Sequence, residues 1–472
     1  MGKARGRKLC GLFQPGGYEM EISALVQAQR DFFASGATRP VSFRAEALKK
    51  LQKALRDNEA ALEAALYSDF RKPAAEVFLT EIGTVSMELS FQISHLRRFA
   101  RPRRAPAAIG QLPGRAFVSP EPYGVALIMA PWNYPVQLCL DPLAGALAAG
   151  NCAVVKPSAY APETSRAIKN MLASVFDPAY VAVIEGGREE NAALLDEQFD
   201  YIFFTGSRAV GKLVMEKAAR HLTPVTLELG GKSPVIVDGT ADVAASARRV
   251  AFGKVLNAGQ TCVAPDYAFV QASVLDGFVQ AYRAALREFF PDGFGRMPVI
   301  VNEKHYARVK ALLKDGRAAV GGGFDDETRF IEPTLLLDVP PDAPVLREEI
   351  FGPILPVLPY RNLEECIAYI RAREKPLALY LFTKDRKTVR RVLDTCSFGG
   401  GCVNDTILHL ASSSLPFGGV GASGLGSYHG RKSFDTFSHE RAVLAKPFRF
   451  DIPLRYQPYT DGKLNWMRRI MK

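Results

Sequence analysis

Between Gly124 and Gly230 short, mainly apolar runs alternate with helical stretches, and this rhythm restricts the fold more than any other feature. The runs "VALIMA" (125–130), "CAVVK" (152–156), "YVAVIEG" (180–186), "DYIFFTG" (200–206) and "PVTLELG" (224–230) are short, as strands are. They lack the alternation of a strand with one wet face. They read as strands buried on both sides, the mark of a parallel sheet with helices over each face. Segments near 135–149, 162–175 and 208–221 supply those helices, with a short one before residue 200. The prediction is a doubly wound α/β domain.

A second α/β series follows, with strands at 234–238, 267–271, 354–360, 377–383 and 400–405. Helices are expected near 241–256, 274–289, 303–314, 362–372 and 386–395. Before both series, from Glu19 to about Arg98, apolar residues recur at three- and four-residue steps, as in "RAEALKKLQKALRDNEAALEAALYSDF". "RPRRAPAAIGQLPGR" (101–115) breaks that pattern and leads to a short strand, "AFVSPEP". Residues 1–18 read as a flexible basic extension. At 472 residues the chain needs two or three domains.

The net charge of +11 raises the question of nucleic acid or a membrane surface. Much of it is confined to "KARGRK" (3–8), "RRFARPRR" (97–104) and "MRRIMK" (467–472), and no nucleic-acid motif with interleaved aromatics accompanies it. Solvated surface charge is the plainer reading, and no nucleic-acid partner is expected. The seven cysteines, at 10, 139, 152, 262, 366, 396 and 402, are odd in number and irregularly spaced, which suggests neither a disulfide framework nor a zinc site. "MGKARGRKLCGLF" lacks the apolar core of a signal peptide, and prolines with Asn133 and Asp141 interrupt the longest apolar stretch, 124–155. A reduced, cytoplasmic location is the expectation, with no metal.

Several motifs tempt. "GVGASG" (419–424) matches the G-x-G-x-x-G dinucleotide fingerprint but has neither the leading strand nor the following helix that the fingerprint needs. "LGGKS" (229–233) lacks the first glycine of a P-loop, and no G-x-S-x-G elbow or H-E-x-x-H pair occurs. The better phosphate candidate is "IFFTGSRAVGK" (202–212), where a buried strand runs into a turn and straight into a helix start. Free amides and the dipole there suit a pyrophosphate, and Gly206 and Gly211 are expected to allow close approach.

"NAGQTCVAP" (257–265) sets Cys262 between a small-residue turn and a proline, beside polar groups, where a core-filling thiol would have aliphatic neighbours. Together with "PWNYP" (131–135), "VVKPS" (154–158), "FTGSRAVGK" (204–212), "LTPVTLELGGKSP" (222–234), "GQTCVAPDY" (259–267), "EEIFGPILP" (348–356), "REKPLALYLF" (373–382) and "SLPFGGVGASGLGSYHGRKSFDTFSH" (414–439), it makes the chain resemble an aldehyde dehydrogenase of the class 3-like branch. The likeness runs from Glu19 to about Lys446. It implies an α/β aldehyde dehydrogenase-like fold: a Rossmann-like NAD(P)-binding domain (19–100 and 124–228), a catalytic domain (229–405) and a small oligomerisation element (101–123 and 406–446), followed by a tail (447–472). It also implies a homodimer, NAD or NADP as cofactor, and a small-molecule aldehyde, medium- or long-chain aliphatic or aromatic, as substrate.

The resemblance assigns roles that the chemistry supports. A thiolate at Cys262 turns an aldehyde into a thiohemiacetal, a hydride donor, and then a thioester. The collapsing oxyanion needs fixed donors, for which Asn133 and the Cys262 N–H are the candidates. Hydrolysis of the thioester needs a base; Glu228, near the end of a buried strand, is placed to have its carboxyl raised. By resemblance Lys156 holds the adenosine ribose, Gly206 and Ser207 the pyrophosphate, and Val210 the adenine. Glu349 holds the nicotinamide ribose and Phe351 braces the ring. Tyr134, Leu138 and Thr261 line the substrate channel, with Phe417 and His429 at its entrance. Two alternatives stand beside this: a CoA-acylating relative, which would need no water-activating Glu228, and a catalytically silent basic scaffold. In the tail, "KLNWMRRIMK" can place Leu464, Met467 and Met471 on one helical face. Peripheral contact with an anionic membrane is the less favoured reading, behind a solvated or subunit-packed tail.

Overall fold

A computed structural model describes residues 18–108, 111–449 and 451–471. The basic extension therefore lies outside the described residues except for Tyr18, which opens the first helix. The long helical stretch forms as α1 (Tyr18–Ala34), α2 (Val41–Asp57), α3 (Glu59–Phe70), α4 (Ala74–Val77) and α5 (Gly83–Phe99). Pro40 and Pro73 directly precede α2 and α4, where a proline is tolerated. The periodicity gave no hint of the single π-helical turn, Phe78–Ile82, that joins α4 to α5. Such turns insert one residue into the helical register and re-aim the side chains that follow.

After β1 (Arg103–Ala105) and β2 (Arg115–Pro122) comes the first α/β series: β3 (Val125–Met129), α6 (Pro135–Ala149), β4 (Cys152–Lys156), α7 (Pro162–Ala173), β5 (Val181–Val183), α8 (Arg188–Asp196), β6 (Tyr201–Gly206), α9 (Arg208–Ala219) and β7 (Val225–Leu229). Every residue of β3 and β4 is buried, as two-sided burial requires. Strands pair in parallel in the order β7-β6-β3-β4-β5, so the chain moves outward from β3 on one side and returns on the other. A crevice opens at that reversal, beyond the carboxyl ends of the strands.

The second series runs β8 (Pro234–Val237), α10 (Val243–Val255), β9 (Tyr267–Gln271), α11 (Leu275–Phe289), α12 (Glu303–Ala311), β10 (Arg317–Val320), the hairpin β11 (Phe324–Asp325) and β12 (Phe330–Ile331), β13 (Thr334–Leu337), α13 (Pro344–Arg347), β14 (Ile354–Tyr360), α14 (Leu363–Arg371), β15 (Ala378–Phe382), α15 (Arg386–Thr395) and β16 (Gly400–Val403). Its sheet has seven strands in the order β10-β13-β14-β9-β8-β15-β16, parallel except at β10. Strands β10 and β13 were not foreseen. β10 is short and half exposed, with no buried apolar run, and it is a strand only because it pairs with β13.

The glycine-rich segment yields β17 (Gly424–Leu425) and α16 (Arg431–Thr436), followed by β18 (Ser438–Ala445) and, in the tail, α17 (Asp461–Ile470). β17 joins the first sheet antiparallel to β7, setting Gly424 opposite Glu228. "GVGASG" is thus a docking loop at a sheet edge, and this part of 406–446 packs on the cofactor domain's own sheet. β18 pairs with β2 over eight residues, although most of it is exposed and its short apolar run, Ala442–Ala445, faces largely outward. The tail helix leaves Leu464, Trp466 and Met471 exposed.

One buried side chain ties these parts together. Asn151 Oδ1 accepts from Gly124 N at 2.9 Å, and its Nδ2 donates to Phe437 O at 2.9 Å and to Ala146 O at 3.2 Å. It therefore pins the start of β3, the end of α6 and the approach to β18. Asn151→Ala removes this partner from Gly124 N and Phe437 O, while Ala146 O keeps its backbone donors, so the expected destabilisation is about 2–4 kcal/mol. A thermal midpoint several degrees below wild type, read by calorimetry, checks it.

Candidate active site

Cys262 is delivered by an unusual turn. Asn257, Ala258 and Gly259 all adopt the left-handed conformation, with φ of 51°, 54° and 72°. For two non-glycine residues this is strained and persists only where the surroundings enforce it. The enforcing contacts are all present. Glu76 accepts from Asn257 N at 2.6 Å, and Asn257 Nδ2 donates to Asn133 O at 2.7 Å. Gln260 Nε2 donates to Asn257 O and to Val299 O, while its Oε1 accepts from Val301 N. A Cβ at Gly259 would lie 2.2 Å from Gly352 O, so this backbone passes too close for any other residue.

The turn brings the thiol to Asn133, in the loop between β3 and α6. Asn133 is buried; its Nδ2 donates to Gln260 O at 3.0 Å, which aims the amide and leaves its second hydrogen without a partner among the described residues. Tyr134 is also buried, and its hydroxyl shares a 2.5 Å hydrogen bond with Thr261 Oγ1.

Two cavities meet at Cys262. One is lined almost wholly by apolar and aromatic groups, including Leu79, Leu138, Phe252, Ile407, Leu410 and Phe417. The other holds Asn133, Gly206, Ser207, Glu228, Glu349 and Phe351. Leu138, Cys262, Phe417 and Tyr428 belong to both. A tunnel for an apolar molecule and a polar cleft at the sheet reversal thus open onto one sulfur atom.

Glu228, on β7, is buried with neither carboxylate oxygen partnered among the described residues, and burial pushes its carboxyl well above the usual range. Glu349 has its Oε1 unpartnered; burial, then nearby Asp266, raise its carboxyl to about 7. Arg308 fixes this stretch by donating to Glu349 O at 3.1 Å and Ile350 O at 2.7 Å. A Cβ at Gly230 would lie 2.1 Å from Glu349 Oε2. The α9 N-terminus, capped by Ser207 Oγ, faces the same cleft. Orphaned carboxylate oxygens, a helix start and a strand-end crevice together fit a dinucleotide.

Some predicted site residues stand elsewhere than expected. Cys262 is half-buried, and its polar neighbours do not favour a thiolate: burial, then the carboxylates of Glu349 and Glu228, push its thiol up to about 12, against the pull of the Cys262 and Val263 N–H groups. Gly211 does not face a ligand; a Cβ there would meet Leu229 Cδ2 at 2.7 Å, so it lets α9 pack on the sheet. A Cβ on Gly206 would meet the Phe204 ring at 2.6 Å. Val210 is exposed on α9, outside the cleft. Lys156 ends β4 beside the cleft, with Nζ donating to Pro157 O at 2.8 Å and Gly186 O at 2.7 Å; burial lowers its ammonium to about 8. Phe417 and His429 are stacked inside the tunnel rather than at its entrance. Burial holds His429 neutral, at about 4. The exposed lining residues are Leu79, Leu408 and Ala411. Leu79 and His305 were missed because they come from helical segments far away in sequence, and Phe252, on the helix just before the Cys262 turn, because no local pattern marks it.

A thiol set between a dinucleotide cleft and an apolar tunnel defines a thiol-bearing, nicotinamide-dependent oxidoreductase. The chain belongs to the aldehyde dehydrogenase family, whose profile matches residues 11–443. It is 47% identical over 446 residues to the 4,4'-diaponeurosporen-aldehyde dehydrogenase of Staphylococcus aureus, covering 93% of this chain and 97% of that one. It is 44% identical over 448 residues to aldehyde dehydrogenase family 3 member A2 of Rattus norvegicus, covering 94% and 93%. The substrate-bound structure of Staphylococcus aureus AldH superposes with a TM-score of 0.94 at 45% identity, covering 96% of this chain and 99% of that one. The expected class 3-like branch and α/β fold hold, and the protein is an NAD(P)-dependent aldehyde dehydrogenase.

The raised Cys262 thiol has a direct consequence. In the cofactor-free protein the thiolate fraction, and with it the rate of alkylation at Cys262, is expected to climb ~10-fold per pH unit from about pH 7 to 9.5. Iodoacetamide labelling followed by mass spectrometry of the Cys262 peptide reads this rate, and a plateau below pH 8 contradicts the assigned environment.

Proposed function

We propose that Cys262, Asn133 and Glu228 carry out the oxidation of an apolar aldehyde to its acid in the two-cavity site. The observation that carries this reading is the meeting of tunnel and cleft at Cys262. The aldehyde enters from the tunnel, and the sulfur bonds to its carbonyl carbon. Because burial and the nearby carboxylates disfavour a free thiolate, the thiol proton passes to solvent water as the sulfur attacks. The oxyanion is received by Asn133 Nδ2 and the Cys262 N–H, donors already fixed by the turn and so needing no reorganisation. A bound nicotinamide supplies the hydride acceptor, after which the acyl group remains on Cys262 as a thioester. Ionised Glu228 then takes a proton from water, the water oxygen adds to the acyl carbon, and the C–S bond breaks to release the acid. An acceptor-only carboxylate with no partner of its own suits that task.

The cofactor cleft is held by Gly206 and Ser207 at the α9 start and by Glu349 and Phe351 from the other sheet, with Lys156 at the adenosine side. The tunnel's apolar wall favours medium- or long-chain aliphatic or aromatic aldehydes, in keeping with the diaponeurosporen-aldehyde named for one relative. A CoA-acylating outcome is disfavoured because Glu228 is present and unpartnered. A homodimer is supported by the exposed strand β18 and by β16, which ends its sheet, since both offer backbone groups to a second copy. Cytoplasmic residence is the accompanying reading, with the described cysteines carried as free thiols.

Two variants separate the steps. Cys262→Ala is expected to lose at least ~10²-fold in both aldehyde oxidation and ester hydrolysis. Glu228→Gln is expected to keep a single-turnover burst of reduced cofactor while steady turnover collapses. Stopped-flow absorbance at the reduced nicotinamide band distinguishes them, and a Cys262→Ala protein with wild-type turnover ends the proposal.

Cofactor choice turns on Ala159, three residues after Lys156, where a carboxylate would repel a 2′-phosphate. The neighbouring acids are engaged: Glu163 pairs with Arg166 at 3.1 Å, Glu185 with Lys169 at 2.8 Å, and Glu190 accepts from Gly187 N at 2.5 Å. NADP is therefore expected to serve at least as well as NAD. Ala159→Glu should shift the kcat/KM ratio toward NAD by about 5-fold or more, since one like-charge contact is worth ~1 kcal/mol. Steady-state kinetics with both cofactors on both proteins decide it.

A further inference from the structure

Behind the oxyanion donor lies a charge pair that the reaction as described does not use. Lys72 and Glu81 are both completely buried, with Nζ and Oε1 2.7 Å apart. Burying two charges is expensive and rarely improves stability over apolar packing, so such a pair prompts the question of what else it does. Each partner also touches the catalytic loop. Glu81 Oε2 accepts from Val136 N at 2.8 Å and from Gln137 N at 3.4 Å, capping the first turn of α6 directly after Asn133 and Tyr134. A negative charge there also complements the helix dipole. Lys72 Nζ sits over the Tyr134 ring, 4.3 Å from its centroid, and the Tyr134 hydroxyl is hydrogen-bonded to Thr261, the residue before the thiol.

The supporting backbone is unusual as well. Glu81 lies in the π-helical turn Phe78–Ile82, whose extra residue shifts the helical register between α4 and α5. In the same turn Leu79 and Thr80 line the substrate tunnel, and Glu76, one turn earlier, holds the left-handed residue Asn257. One short segment thus grips both loops that must face each other across the carbonyl.

We propose that the buried Lys72–Glu81 pair is a positioning device for the oxyanion site, fixing the Asn133–Tyr134 loop against the Thr261–Cys262 loop. The proposal rests on the thiol mechanism above. Lys72 and Glu81 touch neither substrate nor cofactor; they act through Tyr134 and the α6 N-terminus. Loss of the pair costs rate at every step that passes through the oxyanion, and leaves cofactor binding alone.

The test compares Lys72→Met, Glu81→Gln and the double variant Lys72→Met/Glu81→Gln. Glutamine retains an acceptor for Val136 N. Each single change leaves one buried charge or polar group unmatched and is expected to lower the thermal midpoint; the double variant, with neither charge, is expected to regain most of it. Despite that recovery, its kcat/KM should stay about 10- to 100-fold low in both aldehyde oxidation and p-nitrophenyl acetate hydrolysis. Its NADPH dissociation constant, read by fluorescence titration, should remain within about twofold of wild type, a range small beside the tenfold that 1.4 kcal/mol represents. If both activities return with the midpoint, the pair is only structural and the proposal fails. It fails equally if cofactor affinity falls in step with rate.

Tyr134→Phe supplies an arm that does not depend on the double variant folding. It keeps the ring under Lys72 and removes the bond to Thr261, so ester hydrolysis should fall with little change in KM. Wild-type ester hydrolysis in Tyr134→Phe overturns the relay. Ester hydrolysis needs neither aldehyde nor nicotinamide, so failure of the thiol reading shows separately, as a Cys262→Ala protein that still cleaves the ester.

Discussion

The left-handed turn Asn257–Ala258–Gly259 is the constraint on which the site depends. Two of its residues have side chains that disfavour the conformation, so the turn exists only because tertiary contacts hold it. Those contacts come from α4, from the Asn133 loop, from the segment at Val299 and from the backbone at Gly352. Four parts of the chain, far apart in sequence, therefore converge to fix one thiol. The strain is balanced by hydrogen bonds to buried groups that would otherwise be unpaired, which makes the cysteine's position a property of the whole domain arrangement.

Burial then sets the chemistry. The same protein walls that raise the Glu228 and Glu349 carboxyls also raise the Cys262 thiol and lower the Lys156 ammonium. In each case the neutral form gains because water is excluded. Carboxylates near the thiol add to its reluctance to ionise. Around Cys262 the surroundings favour the thiol over the thiolate, and the Glu228 carboxyl has neither oxygen hydrogen-bonded among the described residues.

The parallel core of the first sheet was legible because two-sided burial leaves an unmistakable composition: every residue of β3 and β4 is apolar apart from Lys156 at the strand end. Strands β10, β17 and β18 were not legible. They are short or solvent-facing, and their backbone pairing with β13, β7 and β2 makes them strands, whatever their side chains prefer. Cys262, Asn133, Glu228 and Glu349 could be singled out by their motifs, yet the motif does not show that the polar groups around the thiol include carboxylates that raise it. Nothing in "GQTCVAP" shows that Glu228 and Glu349 lie beside it, because burial and charge are set by neighbours in space. The sequence shows a glycine at 211, but only packing shows that Leu229 is what it must clear.

The sequence by itself determined the doubly wound sheet, the helix start at Ser207 and the candidate site residues, because periodicity, turn chemistry and functional groups are local properties. Tertiary structure alone decided that an apolar tunnel and a cleft bearing polar and charged groups share one sulfur, that Phe417 and His429 stack within the tunnel, and that Lys72 and Glu81 lie against Tyr134 and the start of α6. Those are relations between residues tens to hundreds of positions apart. They arise from which faces are buried against each other, and a reading along the chain has no access to that.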